Sequence, residues 1–552
     1  MDTSDETVPQ WAPSATISLL ILLVGVTLTF GHGIFADFVW DDKSLILDNP
    51  WMRHNMTPFS AWSNDFWALT NGGGSSGMYR PVVLFTYWLE FTIFGTNPMG
   101  FHTMTILLHS LNTALVFQLC QRHTNALPAL LASAIFALHP VQVEAAMNIA
   151  SHTDLLATAG ILISLLLWPR AKLRWICAVC LFLSFCSKES AVVGPIILIL
   201  FYRINLKSVV TWLVPPTLLW LIFRLSAVGV NAPVATHDWE GAYRMIQYFG
   251  RILFPKNIGP ITDLTPPPQF QIYLWTILFV GIMTWILNRS EKHRRSLMII
   301  LISLLPVCEL IPLGIRFADL LLYLPMVGVS ILIAEITALT RFIKMHSLKS
   351  KLVLGIVVLP MMIISSRRSL NWKDDLSLWI HASQHNPTNI TVQLNLANAY
   401  RNVGERQKGC DLLERLYTAT PLPAETIPMS RIAFNLGNCA REVEKWGLAK
   451  ALYLESINLT QGQFYPARYN LIVTEDAAGN PKEAIEAAQQ LCQEVHQRAD
   501  SWHIYGVMLA RNGQYDKAID AFQQSLALDK NQANTQEYLQ KAIELLKQSP
   551  SQ

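Results

Sequence analysis

Apolar runs dominate the chain up to about residue 366 and are absent after it. Runs at 15–34, 102–120, 127–143, 154–168, 174–187, 190–203, 209–228, 271–288, 297–314, 319–340 and 352–366 predict eleven membrane-spanning helices. From Trp372 onward the pattern turns to amphipathic helical periods rich in charge. The reading is therefore an all-α chain, with a polytopic helical membrane region at 15–366 and a polar helical region beyond it. A short stretch at 1–14 precedes the first span, and 367–386 links the two regions. The run 79–95 is treated as an interfacial amphipathic segment and not as a span.

Charge decides that choice. With 79–95 outside the count and the N-terminus inside, the inner loops collect Arg122, Arg170, Lys172, Arg203, Arg289 and Arg341 with their basic neighbours, and Glu291 is their only acid. The outer connections hold Asp37, Asp41, Asp42, Asp65, Glu144 and Asp238. Cytoplasmic loops carry the lysine and arginine excess, so the outer loop 36–78 and everything after 366 are expected on the periplasmic or lumenal side. The acidic first residues lack the basic region of a cleavable signal, so the first run reads as a retained span.

The polar region carries an internal repeat. Gly479 and Gly513 are 34 residues apart, as are Ala484 and Ala518, and Leu471 and Tyr505. That period is the signature of tetratricopeptide repeats, helix pairs stacked into an α-solenoid. Four units and a capping helix at 536–547 are expected within 387–548, the second unit starting late after an insertion around Pro421 to Pro428. Such an array presents a surface that binds a partner, most often a peptide.

Composition then excludes several classes. The net charge of +3 averages two unlike regions, and no basic stretch interleaved with aromatics suggests nucleic acid. The eight cysteines show no paired framework, and Cys177 and Cys180, although spaced as CxxC, lie inside an apolar run. No disulfide is expected. No histidine and carboxylate spacing of the HExxH kind points to a metal, and no cofactor is expected.

Candidate chemistry gathers on the outer side. Asp41 and Asp42 follow the first span. Arg80, His102, His109, His139, Glu144, Asp154, Lys188, Glu189 and Arg316 lie at or near the same level. Ionisable groups at membrane depth are functional-site hypotheses by default. A carboxylate can deprotonate an incoming hydroxyl, and lysine and arginine can hold a departing phosphate. The bland readings remain open beside this one. The histidines can be packing groups, Lys188-Glu189 a simple ion pair, Arg316 an interface anchor, and Asp41-Asp42 a solvated turn.

The order of features resembles the transmembrane and tetratricopeptide-repeat O-mannosyltransferases and their bacterial relatives, membrane glycosyltransferases of the GT-C fold. The resemblance rests on Phe38-Val39-Trp40-Asp41-Asp42, Tyr79-Arg80-Pro81, Phe94-Gly95-Thr96-Asn97-Pro98, His109-Ser110-Leu111-Asn112, His139-Pro140, Asp154-Leu155-Leu156-Ala157, Ser187-Lys188-Glu189 and Leu322-Tyr323-Leu324-Pro325. It implies a sugar, mannose above all, moved with inversion from a polyprenyl-phosphate donor to a hydroxyl acceptor, with protein serine or threonine recruited by the repeats. It also implies that one of Asp41 and Asp42 is the general base, and that Lys188 and Glu189 act at the lipid phosphate. The chain departs from the family pattern at Asp319-Leu320, where relatives carry an arginine, and Arg316 is the candidate replacement. Gln142 stands where relatives carry a histidine.

Two rival classes follow. One is a membrane-anchored repeat scaffold without catalysis, which the absent arginine favours. The other is a transporter, which the lack of an inverted repeat disfavours. The chemistry fits a bacterial plasma membrane and an endoplasmic reticulum equally, and the short repeat array tilts the expectation toward bacteria.

Overall fold

The computed structural model describes residues 14–548 apart from 50, 53–56, 58, 69, 71–75, 230–239, 256–258, 260, 262–270, 307–317, 340–347, 420–425, 497 and 531, and gives only isolated positions in 271–290. Among the described residues the secondary structure is helical throughout. The chain forms two compact units, one of Met1–Asn49 with Thr57–His385, the other of Pro50–Met56 with Asn386–Gln552.

In the first unit the helices are α1 (Ala15–Phe30), α2 (Pro81–Phe94), α3 (Pro98–Gln121), α4 (Ala126–Leu138), α5 (Val143–Met147), α6 (His152–Leu167), α7 (Arg174–Phe185), α8 (Val193–Tyr202), α9 (Val214–Val228), α10 (Glu240–Leu253), α11 (Glu291–Leu304), α12 (Tyr323–Leu339), α13 (Leu348–Ser369) and α14 (Asp375–His385). Among the described residues five helical stretches are long and apolar enough to cross a bilayer, Ala15–Phe35, Pro98–Gln121, Ile149–Leu167, Leu206–Val228 and Asp319–Ala338, and the bent pair Ala126–Leu138 with Pro140–Met147 makes a sixth if it is one span. The chain is a multi-pass membrane protein.

Local rules explain their ends. The Ser14 hydroxyl accepts from the Ile17 amide at 3.3 Å and starts α1. Asn97 caps α3 through the Met99 amide at 3.1 Å, with Pro98 in the first turn. At its 24 residues α3 is about 36 Å long, enough to span. Its buried face mixes apolar residues with His102, Thr105, His109, Asn112 and Thr113. His109, Asn112 and Thr113 hydrogen-bond to neighbouring helices or to the backbone, as polar groups between membrane helices do. α6 and α7 approach closely at Gly160, where a Cβ would stand 2.2 Å from Ser184 Oγ.

The run 127–143 is not one straight helix. α4 stops at His139, which is extended (ψ 137°) because Pro140 disfavours a helical residue before it. The chain resumes through Pro140–Met147 at an angle of 49°. The runs 174–187 and 190–203 yield α7 and α8, which are shorter than a span requires. The run 79–95 yields the short α2. Most of 271–288, and the end of 297–314, lie outside the described residues.

The second unit is built from α15 (Ile390–Asn402), α16 (Arg406–Ala419), α17 (Thr426–Glu442), α18 (Trp446–Leu459), α19 (Tyr465–Ala477), α20 (Pro481–Glu494), α21 (Ala499–Arg511), α22 (Tyr515–Leu528) and α23 (Ala533–Gln548). These are four antiparallel pairs and a terminal helix. Small residues seat large ones: Gly437 lies against the Tyr453 ring and Gly506 against Phe522, with no space for a Cβ. The turn of the fourth pair uses Gly513 at φ +73°, and that of the second uses Glu444 at φ +57°.

One sequence expectation fails here. Cys410 on α16 and Cys439 on α17 form a disulfide. They lie in different repeats, 29 residues apart, and become neighbours only when α17 folds back on α16. A closed loop of that size stabilises by about 2–4 kcal/mol. Reducing it, or replacing both cysteines by serine, should lower the denaturation midpoint of the repeat region accordingly, checked by urea titration with and without reductant. Equal midpoints would mean that the bridge carries no stability.

Candidate active site

The turn after the first span is held from two sides. Asp42 is fully buried, and both its carboxylate oxygens accept backbone amides, Val39 at 3.2 Å and Ala150 at 3.0 Å. Burial pushes its pKa up to about 8 despite those two donors, which favour the ionised form. Asp41 is only half-buried. Between Val39 and Asp41, Trp40 adopts φ +52°, a left-handed conformation unfavourable for a bulky residue. Its amide donates to Asp375 Oδ1 at 2.8 Å and its ring meets Trp379 edge-on at 5.4 Å. Lys43 pairs with the other Asp375 oxygen, and the Asp37 amide donates to the Lys373 carbonyl at 2.9 Å. The segment 373–379 is thus a strap that forces the Trp40 backbone into its strained shape and fixes where the two aspartates stand.

A second cluster joins residues far apart in the chain. The buried Lys188 ammonium sits 2.7 and 2.6 Å from the two Asp154 oxygens. Arg80 contacts Glu189 Oε2 through Nη2 at 3.0 Å and Nε at 3.1 Å, and its guanidinium lies 5.2 Å over the Phe66 ring. Glu189 Oε1 also accepts the Tyr79 amide at 2.7 Å. Four sequence candidates therefore meet as two adjacent ion pairs, and each cation is already balanced by a carboxylate.

A third cluster surrounds Glu144. Its Oε2 accepts the amides of Asp319 and Leu320 at 3.0 and 3.1 Å. Asp319 in turn pairs with Arg251 and, at 3.5 Å, with Arg368. Arg368 also donates to the Pro140 carbonyl. At the position where the family pattern calls for an arginine, guanidinium groups arrive from α10 and from the end of α13. Arg316 lies outside the described residues.

The remaining candidates are not gathered with these. His109 is bound by Tyr323 Oη at 2.8 Å and the Ala137 carbonyl at 3.0 Å, deep between helices. His139 contacts the Ile252 carbonyl at 3.0 Å and accepts the Val141 amide at 3.2 Å. His102 meets the Asp37 carbonyl at 3.1 Å, four residues before Asp41. Among the described residues no group of three histidine, cysteine, aspartate or glutamate side chains has the geometry to hold a metal ion.

Asp375, Arg251 and Arg368 were not among the sequence candidates. A signal existed: Arg251, Arg367 and Arg368 stand on the side that the charge rule assigns to acids, which marks cations kept there for a local purpose.

Comparison with known proteins adds two kinds of similarity. A tetratricopeptide repeat model matches residues 499–532, the region of α21 and α22. Over 93% of its length the chain is 24% identical to the human protein O-mannosyl-transferase TMTC3, covering 64% of that protein. It is 27% identical to the protein O-mannosyl-transferase F38B6.6 of Caenorhabditis elegans over 73% of this chain and 63% of that one. The chain is similar to both of these protein O-mannosyl-transferases over most of its own length. It spans a little under two thirds of the length of these relatives. The crystal structure of MamA overlaps 31% of the chain at 17% identity and a TM-score of 0.26, too slight a likeness to argue from.

Two outcomes follow from the geometry. Lys188→Met leaves Asp154 buried and unpaired and should cost about 3–5 kcal/mol, whereas the double change with Asp154→Leu should recover most of it. Thermal unfolding in detergent measures both, and equal melting temperatures for the single and double variants would contradict the pairing. The raised Asp42 pKa means that the folded state binds a proton more tightly than the unfolded chain. Its contribution is therefore fully present below the ordinary carboxylate range near 4 and is lost as pH rises toward 8. Wild type should lose melting temperature between pH 5 and 8, and Asp42→Asn should flatten that slope.

Proposed function

We propose that this protein is a membrane glycosyltransferase that moves a sugar, mannose on the model of its named relatives, from a polyprenyl-phosphate donor to a hydroxyl of a protein acceptor. The observation that carries the reading is the Asp41-Asp42 turn strapped to α14 and held to the Ala150 amide, four residues before Asp154, whose carboxylate on α6 holds Lys188. Asp42 serves as a strut, its oxygens committed to two backbone amides. Burial raises its pKa to about 8, which favours the protonated form and lessens the negative charge beside Asp41. Asp41, half-exposed, is the general base.

In the proposed step Asp41 takes the proton of the acceptor hydroxyl. The oxygen forms a bond to the anomeric carbon, and the bond from that carbon to the phosphate oxygen breaks with its electron pair on the leaving polyprenyl phosphate. Configuration inverts. The departing charge is shared by Lys188 and Arg80, which Asp154 and Glu189 hold pre-oriented. The scheme draws on no metal or cofactor.

The charge asymmetry of the loops supports an outer, periplasmic or lumenal site. The Cys410–Cys439 bridge supports the same side for the repeats, because structural disulfides persist in oxidising compartments. The repeats would recruit the acceptor. A second reading, a non-catalytic anchored scaffold, is favoured by the neutralisation of Lys188 and Arg80 by their own carboxylates.

Transfer of labelled mannose from polyprenyl-phosphate mannose to protein decides between them. Asp41→Asn should lower the rate about 10²–10⁴-fold, and Asp42→Asn should lower it less. Undiminished transfer in Asp41→Asn would remove this base from the scheme. No transfer by wild type with any lipid-linked sugar would leave the scaffold.

A further inference from the structure

The second unit carries a groove that the scheme above does not use. α16 and α18, the second helices of the first two pairs, form its walls, and the C-terminal half of α17 forms its floor. It holds about 600 Å³ of space for water-sized molecules, within the roughly 300–1,000 Å³ of ligand sites. Resting on the proposed function, we infer that this groove docks the protein acceptor by a short apolar segment that carries lysine or arginine.

The groove is preformed. The Cys410–Cys439 bridge ties one wall to the floor. Tyr417 Oη on one wall donates to Glu455 Oε2 on the other at 2.5 Å. A covalent link and a hydrogen bond across the walls fix the width before a partner arrives, so binding has little ordering to offset. From Arg406 to Thr418 the α16 wall is about 18 Å long, the reach of about five extended residues.

Its mouth is apolar. Val443 is 62% exposed and Leu448 51% exposed, and Leu436, Ala440 and Leu452 continue the same surface inward. Contiguous apolar surface rimmed by polar groups marks an interaction site. Five such side chains suit the apolar residues of a short peptide.

Charge selects the partner. Arg406 and Lys445 stand at the end where α16 and α18 begin, together with Glu442, which Arg401 pairs at 2.7 Å. Beyond that end, among the described residues, the lining holds Asp411, Glu414 and Glu455 and no cation. Asp411 and Glu455 accept from neutral groups, the Gln407 amide at 2.7 Å and the Tyr417 hydroxyl, so neither charge is cancelled. A lysine or arginine of the partner meets these carboxylates, and an acidic segment is repelled. An anionic lipid surface, which attracts lysine and arginine, is repelled in the same way.

The test uses the full chain in detergent and short dye-labelled peptides of three compositions: leucine with lysine, leucine with glutamate, and leucine with serine. Fluorescence anisotropy gives dissociation constants for wild type, Leu448→Ser and Glu414→Lys, both of which alter exposed side chains. Wild type should bind the lysine peptide about tenfold more tightly than the glutamate peptide, and added salt should close the gap. Leu448→Ser should weaken all three peptides, whereas Glu414→Lys should weaken the lysine peptide and favour the glutamate one. Equal wild-type affinity for all three would mean unselective apolar adsorption and overturn the inference, as would a preference that Glu414→Lys leaves unchanged. A dimer in light scattering that Leu448→Ser dissociates would assign the groove to a second copy and overturn it as well. Mannose transfer by the same samples to a serine peptide without the apolar and basic residues reports separately on the proposed function. Transfer without binding of the lysine peptide keeps the enzyme and rejects the docking groove. Binding without transfer rejects the enzyme and keeps the groove.

Discussion

Burying a charge is the constraint on which the membrane unit depends. An ion moved from water into a low-dielectric interior costs several kcal/mol unless a counter-charge and hydrogen bonds meet it there. Lys188 meets Asp154, Arg80 meets Glu189, and Arg251 with Arg368 meets Asp319. Each pair ties together segments distant in the chain, so the pairs act as staples as well as candidate chemistry. Helix packing between them relies on small residues and internal polar bonds, because lipid offers no hydrophobic drive between helices.

The same economy explains the aspartate turn. A short polar loop at a membrane surface has few apolar contacts to define its shape. Here its shape is imposed by the strap from 373–379, which supplies an acceptor, a counter-charge and an aromatic ring to Trp40 and Lys43. The positive φ at Trp40 is tolerated only because those contacts over-determine it. Strain held in this way turns one aspartate inward and leaves its neighbour partly open, which is how two adjacent identical side chains come to have different environments.

The repeat unit follows other rules. Each helix pair buries its face only against the next, and glycine against a large ring sets the spacing. The disulfide between the first two pairs adds a covalent link where the insertion before α17 interrupts the regular period.

Much of this was legible in the sequence. Apolar runs and the 34-residue period determined the helical class, the membrane region and the repeats, because periodicity and composition report on burial without reference to any partner. The acid on one side and base on the other, and the motifs around Asp41, Arg80, Asp154 and Lys188, pointed to a site before any helix was positioned. What tertiary structure decided were the pairings: Lys188 with Asp154, Arg80 with Glu189, and Asp375, Arg251 and Arg368 as participants at all. It also turned His109 and His139 into packing groups, bent the helix at His139-Pro140, and joined Cys410 to Cys439. The physical reason is common to them. A counter-charge, a hydrogen-bond partner or a second sulfur is chosen by distance in space, and distance in space is set only when helices remote in sequence pack together.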